Sequence, residues 1–450
     1  MNFVLHKNDL VHGPITRTML CFAFPMILGN LLQQFYNIAD TLIVGQFLGA
    51  DALAAVGSSY TLMTFLTSIL LGLCMGSGAV FSIRCGEGDA NGLRESILHA
   101  FVMIALLAVV LNTAVFLLMD PILLFLRVPE GIYGMMRDYL WVIFWGILAT
   151  FLYNFFASLL RAVGNSVTPL FFLGVCALLN IALDLLFVIG FGWGVRGAAI
   201  ATVISQYVSG AGLFGYTFFA CPEYRIPFGK IRLKKKVFQE ITQFSLLTCL
   251  QQSVMNLGIL MVQGLVNSFG TAVMAAFAAA VKIDSFAYMP VQDFGNAFST
   301  FTAQNYGAGK KERIQSGIKS AVSCAVLFSL LVSLIVYVFA EPLLLLFVKP
   351  TEREILDIGV QYLRIEGAFY LGIGCLFLLY GLYRAVERPG MSVVLTILSL
   401  GTRVALAYGL SAIPSVGVVG IWWSVPIGWF LADAAGFWYY RKKKEVLLKL

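Results

Sequence analysis

The chain has 450 residues, of which 60% are hydrophobic and only 12% are charged, and its net charge is +7. An ordinary soluble domain is about 45–50% apolar and about 25% charged. The composition therefore excludes an ordinary soluble protein and indicates one that lies largely in lipid.

Apolar runs that are long enough to cross a bilayer follow one another along the whole chain. A spanning helix needs about 20 mostly apolar residues. The alternation typical of membrane β-barrel strands is absent from the sequence. We therefore predict an all-α polytopic membrane protein with twelve transmembrane helices. Their centres fall near residues 28, 66, 107, 144, 177, 208, 253, 288, 328, 370, 400 and 428.

Basic residues indicate how these helices are oriented. In the twelve-helix topology, most of the 30 lysines and arginines lie on the side of the termini, with clusters at residues 225 to 236 and 441 to 444. The positive-inside rule then places both termini and the central loop in the cytoplasm. We expect a multi-pass protein of the bacterial plasma or inner membrane, whose basic excess contacts lipid headgroups and not nucleic acid.

Several chemical functions are not supported by the residue pattern. The eight cysteines show no paired metal-ligand spacing, and no phosphate-binding glycine motif or catalytic triad is evident. We therefore expect no enzymatic activity and no cofactor, and we expect a monomer.

The second half of the chain repeats the first. Matching glycines, arginines and glutamines recur in the same order at nearly one shift, which chance does not readily produce. The pairs are Leu32-Gln33-Gln34 with Leu250-Gln251-Gln252, Gly86 and Gly88 with Gly307 and Gly309, Arg161-Ala162-Val163 with Arg384-Ala385-Val386, and Gly194 and Gly197 with Gly417 and Gly420.

The repeat predicts the domain organisation. Each half holds six spans, so both halves insert with the same orientation, and we expect a pseudo-two-fold axis along the membrane normal. Residues 1 to 220 form the predicted N-lobe with helices 1 to 6. Residues 221 to 237 form a cytoplasmic linker, and residues 238 to 450 form the C-lobe with helices 7 to 12.

Two aspartates stand inside predicted spans of the N-lobe. Asp40 follows the apolar run that begins near Phe24, and Asp184 follows Leu183 in the fifth span. An ionised side chain near the middle of a bilayer costs about 3 kcal/mol on insertion scales, so such a residue indicates a functional site. Asn180 lies one helical turn before Asp184 and shares its helix face.

Short glycine-rich motifs of this chain resemble those of the multidrug and toxic compound extrusion (MATE) family, a member of a superfamily that also contains lipid-linked oligosaccharide flippases. The resemblance extends over essentially the whole chain. The motifs that carry it are Pro25, the stretch Gln33–Asp40, Gly45–Gly49, Ala54–Gly57, Arg161–Gly164 and Gln304–Gly309.

The resemblance implies exchange of Na⁺ or H⁺ for organic cations and other amphipathic drugs by alternating access. In one branch of the family an N-lobe cation site is built from residues that match Asp40, Asn180, Asp184 and Thr202, with a backbone oxygen at the position of Ala198. Oxygen ligands of this kind suit Na⁺. The same carboxylates also suit a proton, because two neighbouring acids in a poorly solvated cavity cannot both ionise cheaply. In the family, helix 1 bends near a proline at the position of Pro25.

Polar and aromatic residues of the spans are candidates for a drug pocket. Aromatic faces can stack a flat organic cation, and side-chain amides can orient it. The candidates are Gln34, Tyr36, Asn37, Tyr153, Asn154, Gln252 and Asn256.

A second polar set lies in the C-lobe and contains three acids and three bases. Two interpretations are open: a buried ion-pair network that holds helices together, or a substrate or proton pocket. Arg403 occupies the repeat position of Asn180 and would repel a cation, which favours an ion site in the N-lobe. The set comprises Lys282, Asp284, Asp293, Arg364, Glu366 and Arg403.

The sequence thus predicts a cation-coupled drug antiporter. A flippase for a lipid-linked sugar is the alternative. Such a flippase usually needs a cationic cavity for pyrophosphate, and the acidic residues of the N-lobe favour the export of cations instead.

Overall fold

The structure is a computed structural model that describes residues 8 to 126, 128 to 225 and 234 to 448, and within these ranges it contains helices and no β-strand. A π-helical turn spans Leu185–Gly190 and a 3₁₀ turn spans Pro222–Tyr224. The α-helices are α1 (Ile15–Leu48), α2 (Ala50–Glu87), α3 (Ala90–Leu117), α4 (Met119–Phe125), α5 (Glu130–Ile143), α6 (Gly146–Ala162), α7 (Val167–Asp184), α8 (Gly194–Ala220), α9 (Lys235–Asn267), α10 (Thr271–Gly307), α11 (Lys311–Val338), α12 (Ala340–Leu344), α13 (Arg353–Gly367), α14 (Tyr370–Ala385), α15 (Pro389–Ser411) and α16 (Val418–Leu447).

The helices of the described residues have the length and hydropathy of membrane spans. Ten of them qualify singly. Two further spans are bent pairs, α5 with α6 at 45° and α13 with α14 at 50°, which brings the number to twelve if each pair is one span. The prediction of an all-α polytopic membrane protein is therefore confirmed.

Helix α11 shows how a span divides its faces between protein and lipid. Leu327, Leu331 and Leu334 are exposed, whereas Ala321 and Ala325 are buried. Small residues on the protein side let helix backbones approach closely, while large apolar side chains face the hydrocarbon.

The bend between α5 and α6 interrupts the regular ladder of backbone hydrogen bonds, and water cannot replace these bonds in the interior of a membrane. Side chains from neighbouring helices add hydrogen bonds at the bend. The Asn112 amide Nδ2 donates to the carbonyl oxygen of Phe144 at 2.6 Å, and the Tyr207 hydroxyl donates to that of Trp145 at 2.9 Å. The break is thus held by specific hydrogen bonds.

Contacts divide the chain into two compact units. Unit 1 contains Leu28–Cys249, and unit 2 contains Asp9–Ile27 and Leu250–Leu450. The division falls inside α1 and inside α9. Residues 226 to 233 of the predicted linker, with Lys230 and Arg232 of its basic cluster, lie outside the described residues. The domain limits drawn from the sequence stay a prediction.

Corresponding positions of the sequence repeat adopt the same backbone conformation. Gly88 follows α2 with φ 71°, and its repeat partner Gly309 follows α10 with φ 69°. Residues with a Cβ rarely adopt this left-handed conformation, so glycine serves both turns. Each unit also contains one bent pair of helices.

Within unit 1, α2 and the start of α9 make an unusually close contact. A Cβ built on Gly72 would lie 2.6 Å from the Cα of Cys249, and one built on Gly76 would lie 2.6 Å from the Cα of Ser245. The hydroxyls of Ser77 and Ser245 share a hydrogen bond of 2.8 Å. The two backbones therefore touch with no side chain between them.

Aromatic packing fixes the core of unit 2. The rings of Phe277 and Trp422 stack with centroids 5.6 Å apart, and Tyr362 meets Trp422 edge-on at 4.8 Å. All three side chains are buried. This cluster joins α10, α13 and α16 and positions the acidic residues beside it.

Candidate cation site

Asp40 and Asp184 come together in unit 1, although they lie on different helices. Asp40 belongs to α1 and is half-buried, and Asp184 is the last residue of α7 and is 0% exposed. Their carboxyl groups are within hydrogen-bonding reach of each other. Two like charges at this separation repel strongly unless a proton or cation lies between them.

The predicted amide and hydroxyl ligands lie beside this pair. The Asn180 amide Nδ2 donates to Thr202 Oγ1 at 3.3 Å, and the Thr202 hydroxyl donates to the carbonyl oxygen of Ala198 at 3.1 Å. Asn180 is 1% exposed and Ala198 is 0% exposed. The contacts join α7 to α8 and leave the Asn180 carbonyl oxygen available.

Four buried oxygens of this site have no hydrogen-bond donor among the described residues. They are Asp40 Oδ1, Asn180 Oδ1, Asp184 Oδ1 and Asp184 Oδ2. Neither aspartate forms an ion pair with a lysine, arginine or histidine of the described ranges. Buried polar atoms are nearly always partnered, so these oxygens indicate a site for an ion or a proton.

A π-helical turn, Leu185–Gly190, begins directly after Asp184. Such turns are rare and are frequently found at functional sites. It places Asp184 at the junction of two helical geometries. The sequence gives no clear signal for this turn.

The donor set fits a hard monovalent cation or a proton. Two carboxylates and an amide oxygen are ligands of the type that hard cations prefer, and one proton is enough to relieve the repulsion between the carboxylates. No group of three or more histidine, cysteine, aspartate or glutamate residues in the described ranges could hold a resident metal.

Tyr139 is a further neighbour of the acid pair. It lies on α5, is 7% exposed and is within electrostatic reach of both Asp40 and Asp184. Tyr139 was not among the residues predicted for the cation site. The Tyr139 phenol therefore belongs to the surroundings of the acid pair.

The drug-pocket candidates fall into both units. Gln34, Tyr36 and Asn37 lie half-buried on α1 in unit 1. Tyr153 and Asn154 lie on α6; the Tyr153 hydroxyl donates to Pro169 O at 3.1 Å and the Asn154 amide to Thr150 O at 2.8 Å. Gln252 and Asn256 lie half-buried on α9 in unit 2. The pocket itself stays a prediction.

Part of the predicted C-lobe set comes together in unit 2. Asp284 accepts hydrogen bonds from the hydroxyls of Tyr362, at 2.6 Å, and Tyr370. The Glu366 carboxyl is within hydrogen-bonding reach of Asp284, and the Arg403 guanidinium is close enough to attract both carboxyls. The two tyrosine donors are not evident from the sequence.

The other members of that set lie elsewhere. Lys282 and Arg364 are exposed, with the Lys282 ammonium 5.8 Å from the Phe347 ring centroid and the Arg364 guanidinium 5.6 Å from that of Tyr337. A charged group on an outward face gains from an aromatic ring and from reaching toward water. Asp293 is buried on α10, nine residues or about 13 Å beyond Asp284.

One buried carboxylate of a span was missed by the sequence reasoning. Asp433 lies on α16 and is 6% exposed. The signal that identified Asp40 was present here as well, because Asp433 interrupts the apolar stretch that begins at Trp429.

Comparison with known proteins identifies the family of the chain. The MatE family model matches residues 25–186 and 245–409. The chain is 31% identical to the probable multidrug resistance protein YpnP of Bacillus subtilis, over 98% of both chains. It is 27% identical to the probable multidrug resistance protein NorM of Thermotoga maritima, over 94% of this chain and 92% of that one.

A solved structure supports the fold. A multidrug resistance MATE family transporter of the MOP superfamily, in an outward-facing conformation, superimposes with a TM-score of 0.92 over 98% of both chains at 23% identity. The fold, the family model that matches the chain and the relatives named above all indicate a multi-pass membrane transporter and not an enzyme. The chain belongs to the MatE family of multidrug efflux transporters.

Proposed function

We propose that this transporter is an antiporter that couples the entry of H⁺ or Na⁺ to the export of organic cations and other amphipathic drugs by alternating access. The observation that carries the proposal is the pair of carboxyl groups of Asp40 and Asp184, with four buried oxygens that have no donor in the described ranges.

The coupling follows from electrostatics. When a cation binds between the two carboxyls it neutralises a charge that the membrane interior tolerates poorly. When the cation leaves, the repulsion between the carboxylates favours a different packing around α1, α7 and α8. An organic cation can take over the neutralising role during export.

The available gradients are sufficient for this work. One pH unit supplies about 1.4 kcal/mol per proton, and a membrane potential of 100 mV supplies about 2.3 kcal/mol per charge. One or two coupled cations can therefore sustain a drug gradient of about tenfold to thousandfold.

Pro25 supplies a point at which α1 can bend. It lies inside the helix, and a proline removes one backbone hydrogen bond from the ladder. We propose that the conformational change that follows ion binding at Asp40 passes through this point of α1.

Charge placement supports a bacterial inner membrane protein with cytoplasmic termini. Arg441, Lys442 and Lys443 are exposed at the end of α16, and the Lys442 ammonium lies 4.9 Å from the Trp438 ring centroid. Basic and aromatic residues together mark a cytoplasmic membrane interface. We propose a monomer in contact with anionic lipid and not with nucleic acid.

The test is ethidium efflux from membrane vesicles in which the Na⁺ gradient and the pH gradient are imposed separately. Asp40→Asn and Asp184→Asn should each abolish gradient-driven efflux while the protein still inserts. Asp357→Asn is the matched control, because Asp357 is an exposed acid on α13. Full efflux by both site variants would contradict the proposal.

The same vesicles distinguish the antiporter from a lipid flippase. If ethidium is not exported under either gradient, while a lipid-linked sugar crosses the membrane in a manner that depends on the chain, the alternative function is the correct one. Export under one gradient only identifies the coupling ion.

A further inference from the structure

Asp433 on α16 lies in a membrane span and outside both acidic clusters described above. It is 6% exposed, and its Oδ1 atom has no hydrogen-bond partner among the described residues. No lysine, arginine or histidine of these ranges forms an ion pair with it. An ionised carboxylate is seldom buried without such a partner.

Helix α14 packs against this carboxyl at Gly372. A Cβ built on Gly372 would lie 3.8 Å from Asp433 Oδ2, an ordinary van der Waals contact, and 3.2 Å from the Cβ of Trp429. The Asp433 carboxyl therefore lies beside the backbone of α14. Cys375 and Tyr380, which also lie on α14, are close enough to Asp433 to interact with it electrostatically.

Charged groups on the other neighbouring elements do not face Asp433. Arg403 of α15 packs at Gly428, where a built Cβ would lie 3.4 Å from the Arg403 Cβ. Gly428 lies five residues before Asp433, and this spacing rotates the two residues about 140° apart around the axis of α16. Arg403 therefore packs against a different face of α16 from the one that contains Asp433. On α16 itself the nearest base in sequence is Arg441, eight residues or about 12 Å further along.

The acid of helix α13 is engaged elsewhere. Tyr362 of α13 contacts Trp422, and Phe369, which follows α13, contacts Phe430, three residues before Asp433. Glu366 of α13 is engaged with Asp284 and Arg403. The titratable groups that face Asp433 are therefore the thiol of Cys375 and the phenol of Tyr380.

The groups around Asp433 suit the binding of a proton better than the binding of a metal cation. A metal cation of the alkali or alkaline-earth type needs several oxygen ligands. Asp433 has beside it a bare glycine backbone, a thiol, an indole and a phenol whose hydroxyl also interacts with Thr396. A proton needs only one carboxylate oxygen.

We propose that Asp433 is a proton-binding site of unit 2, separate from the carboxylate pair of unit 1. The carboxylate takes one proton from water and becomes a neutral acid in the packing seen here. It returns the proton to water when the contact between α14 and α16 opens. The inference rests on the proposed function, because it names a second carrier for the coupling proton.

Difference infrared spectroscopy of the purified protein in lipid nanodiscs tests the site directly. Spectra in acidic and alkaline buffer should contain a C=O stretching band of a protonated carboxylic acid that Asp433→Asn removes. Asp357→Asn is the matched control and should leave that band in place. An unchanged band in Asp433→Asn would overturn the proposal.

Two further measurements keep the test decisive. If Asp433→Asn does not insert, Asp433→Glu keeps the acid, and the band should move in frequency; an unmoved band would count against the site. Trp429 lies one turn before Asp433, so the pH dependence of tryptophan fluorescence should contain a component that Asp433→Glu moves to another pH. The absence of any such shift in Asp433→Glu overturns the proposal.

Proton counting separates this site from the one in unit 1. Vesicles loaded with a pH-sensitive dye report the protons moved per ethidium exported. Asp433→Asn should lower that ratio while efflux continues, whereas Asp184→Asn should stop coupled efflux altogether. If Asp184→Asn transports normally and Asp433→Asn still loses its band, the proposed function fails and the proton site stands.

Discussion

The carboxyl groups of Asp40 and Asp184 lie within hydrogen-bonding reach of each other, one on α1 and the other at the last residue of α7. Acids this close release their protons as a pair and not as independent residues. In the proposed mechanism, neutralisation of the pair by an ion or a proton links α1 to α7.

The hydroxyl of Thr202 is expected to hold the ion site in shape. Thr202→Val removes the acceptor for the Asn180 amide and the donor to Ala198 O with little change in volume. A hydrogen bond of this kind contributes about 1 kcal/mol, so the ion concentration for half-maximal efflux should rise about fivefold. Titration of efflux against the coupling ion measures the change.

Thr113→Val is the control for that experiment. Thr113 is exposed on α3, and its hydroxyl donates only to the carbonyl of Val109 in its own helix at 2.8 Å. It should leave the ion dependence unchanged. Equal shifts in the two variants would show that loss of a hydroxyl from any span has this effect.

Tyr362 is expected to stabilise unit 2 through Asp284. Tyr362→Phe removes a donor from a buried carboxyl while the aromatic contact with Trp422 is retained. A buried acceptor that loses its donor costs about 1–3 kcal/mol. Thermal unfolding in detergent should show a lower midpoint.

Tyr337→Phe provides the comparison, because Tyr337 is exposed on α11 and its ring stays available to the Arg364 guanidinium. Its unfolding midpoint should match that of the parent protein. If Tyr362→Phe and Tyr337→Phe have the same midpoint of thermal unfolding, the hydrogen bond from Tyr362 to Asp284 contributes nothing to stability.

The contact between α2 and α9 predicts opposite effects for two glycines of one helix. Gly57→Ala adds a methyl group where nothing lies within 4 Å and should stabilise α2 by about 1 kcal/mol through helix propensity. Gly76→Ala places the methyl against the backbone of Ser245 and should destabilise by about 1–3 kcal/mol through overpacking. Size-exclusion profiles and thermal unfolding compare the two; equal stabilities would exclude the close contact.

Much of the fold was predictable because hydrophobicity alone locates a span. The twelve predicted centres fall within the twelve single or paired spans of the structure. The position of a span does not show whether a given side chain faces the protein interior or the outside. Lys282 and Arg364 look like partners for Asp284 and Glu366 along the sequence, but both face outward.

The cluster of polar residues around Asp184 could be predicted because residue type, spacing and family resemblance agreed; its role as a ligand set stays a prediction. Other residues of the structure could not be predicted in this way, because residue type, spacing and resemblance did not all point to them. Tyr362 and Tyr370 look like ordinary membrane aromatics until α10 brings Asp284 to them. Asp433 falls on Gly210 under the repeat, so the comparison of the two halves directed no attention to it.

The way contacts divide the chain has a consequence for biosynthesis. Unit 1 includes residues of α9 up to Cys249, and unit 2 includes Asp9–Ile27, which precede Leu28 in the chain. The face of α2 that contains Gly72 and Gly76 is covered only when Cys249 and Ser245 of α9 have been synthesised and packed against it. A nascent chain that ends before residue 235 would leave that face exposed, so unit 1 cannot complete its packing until synthesis has passed Cys249.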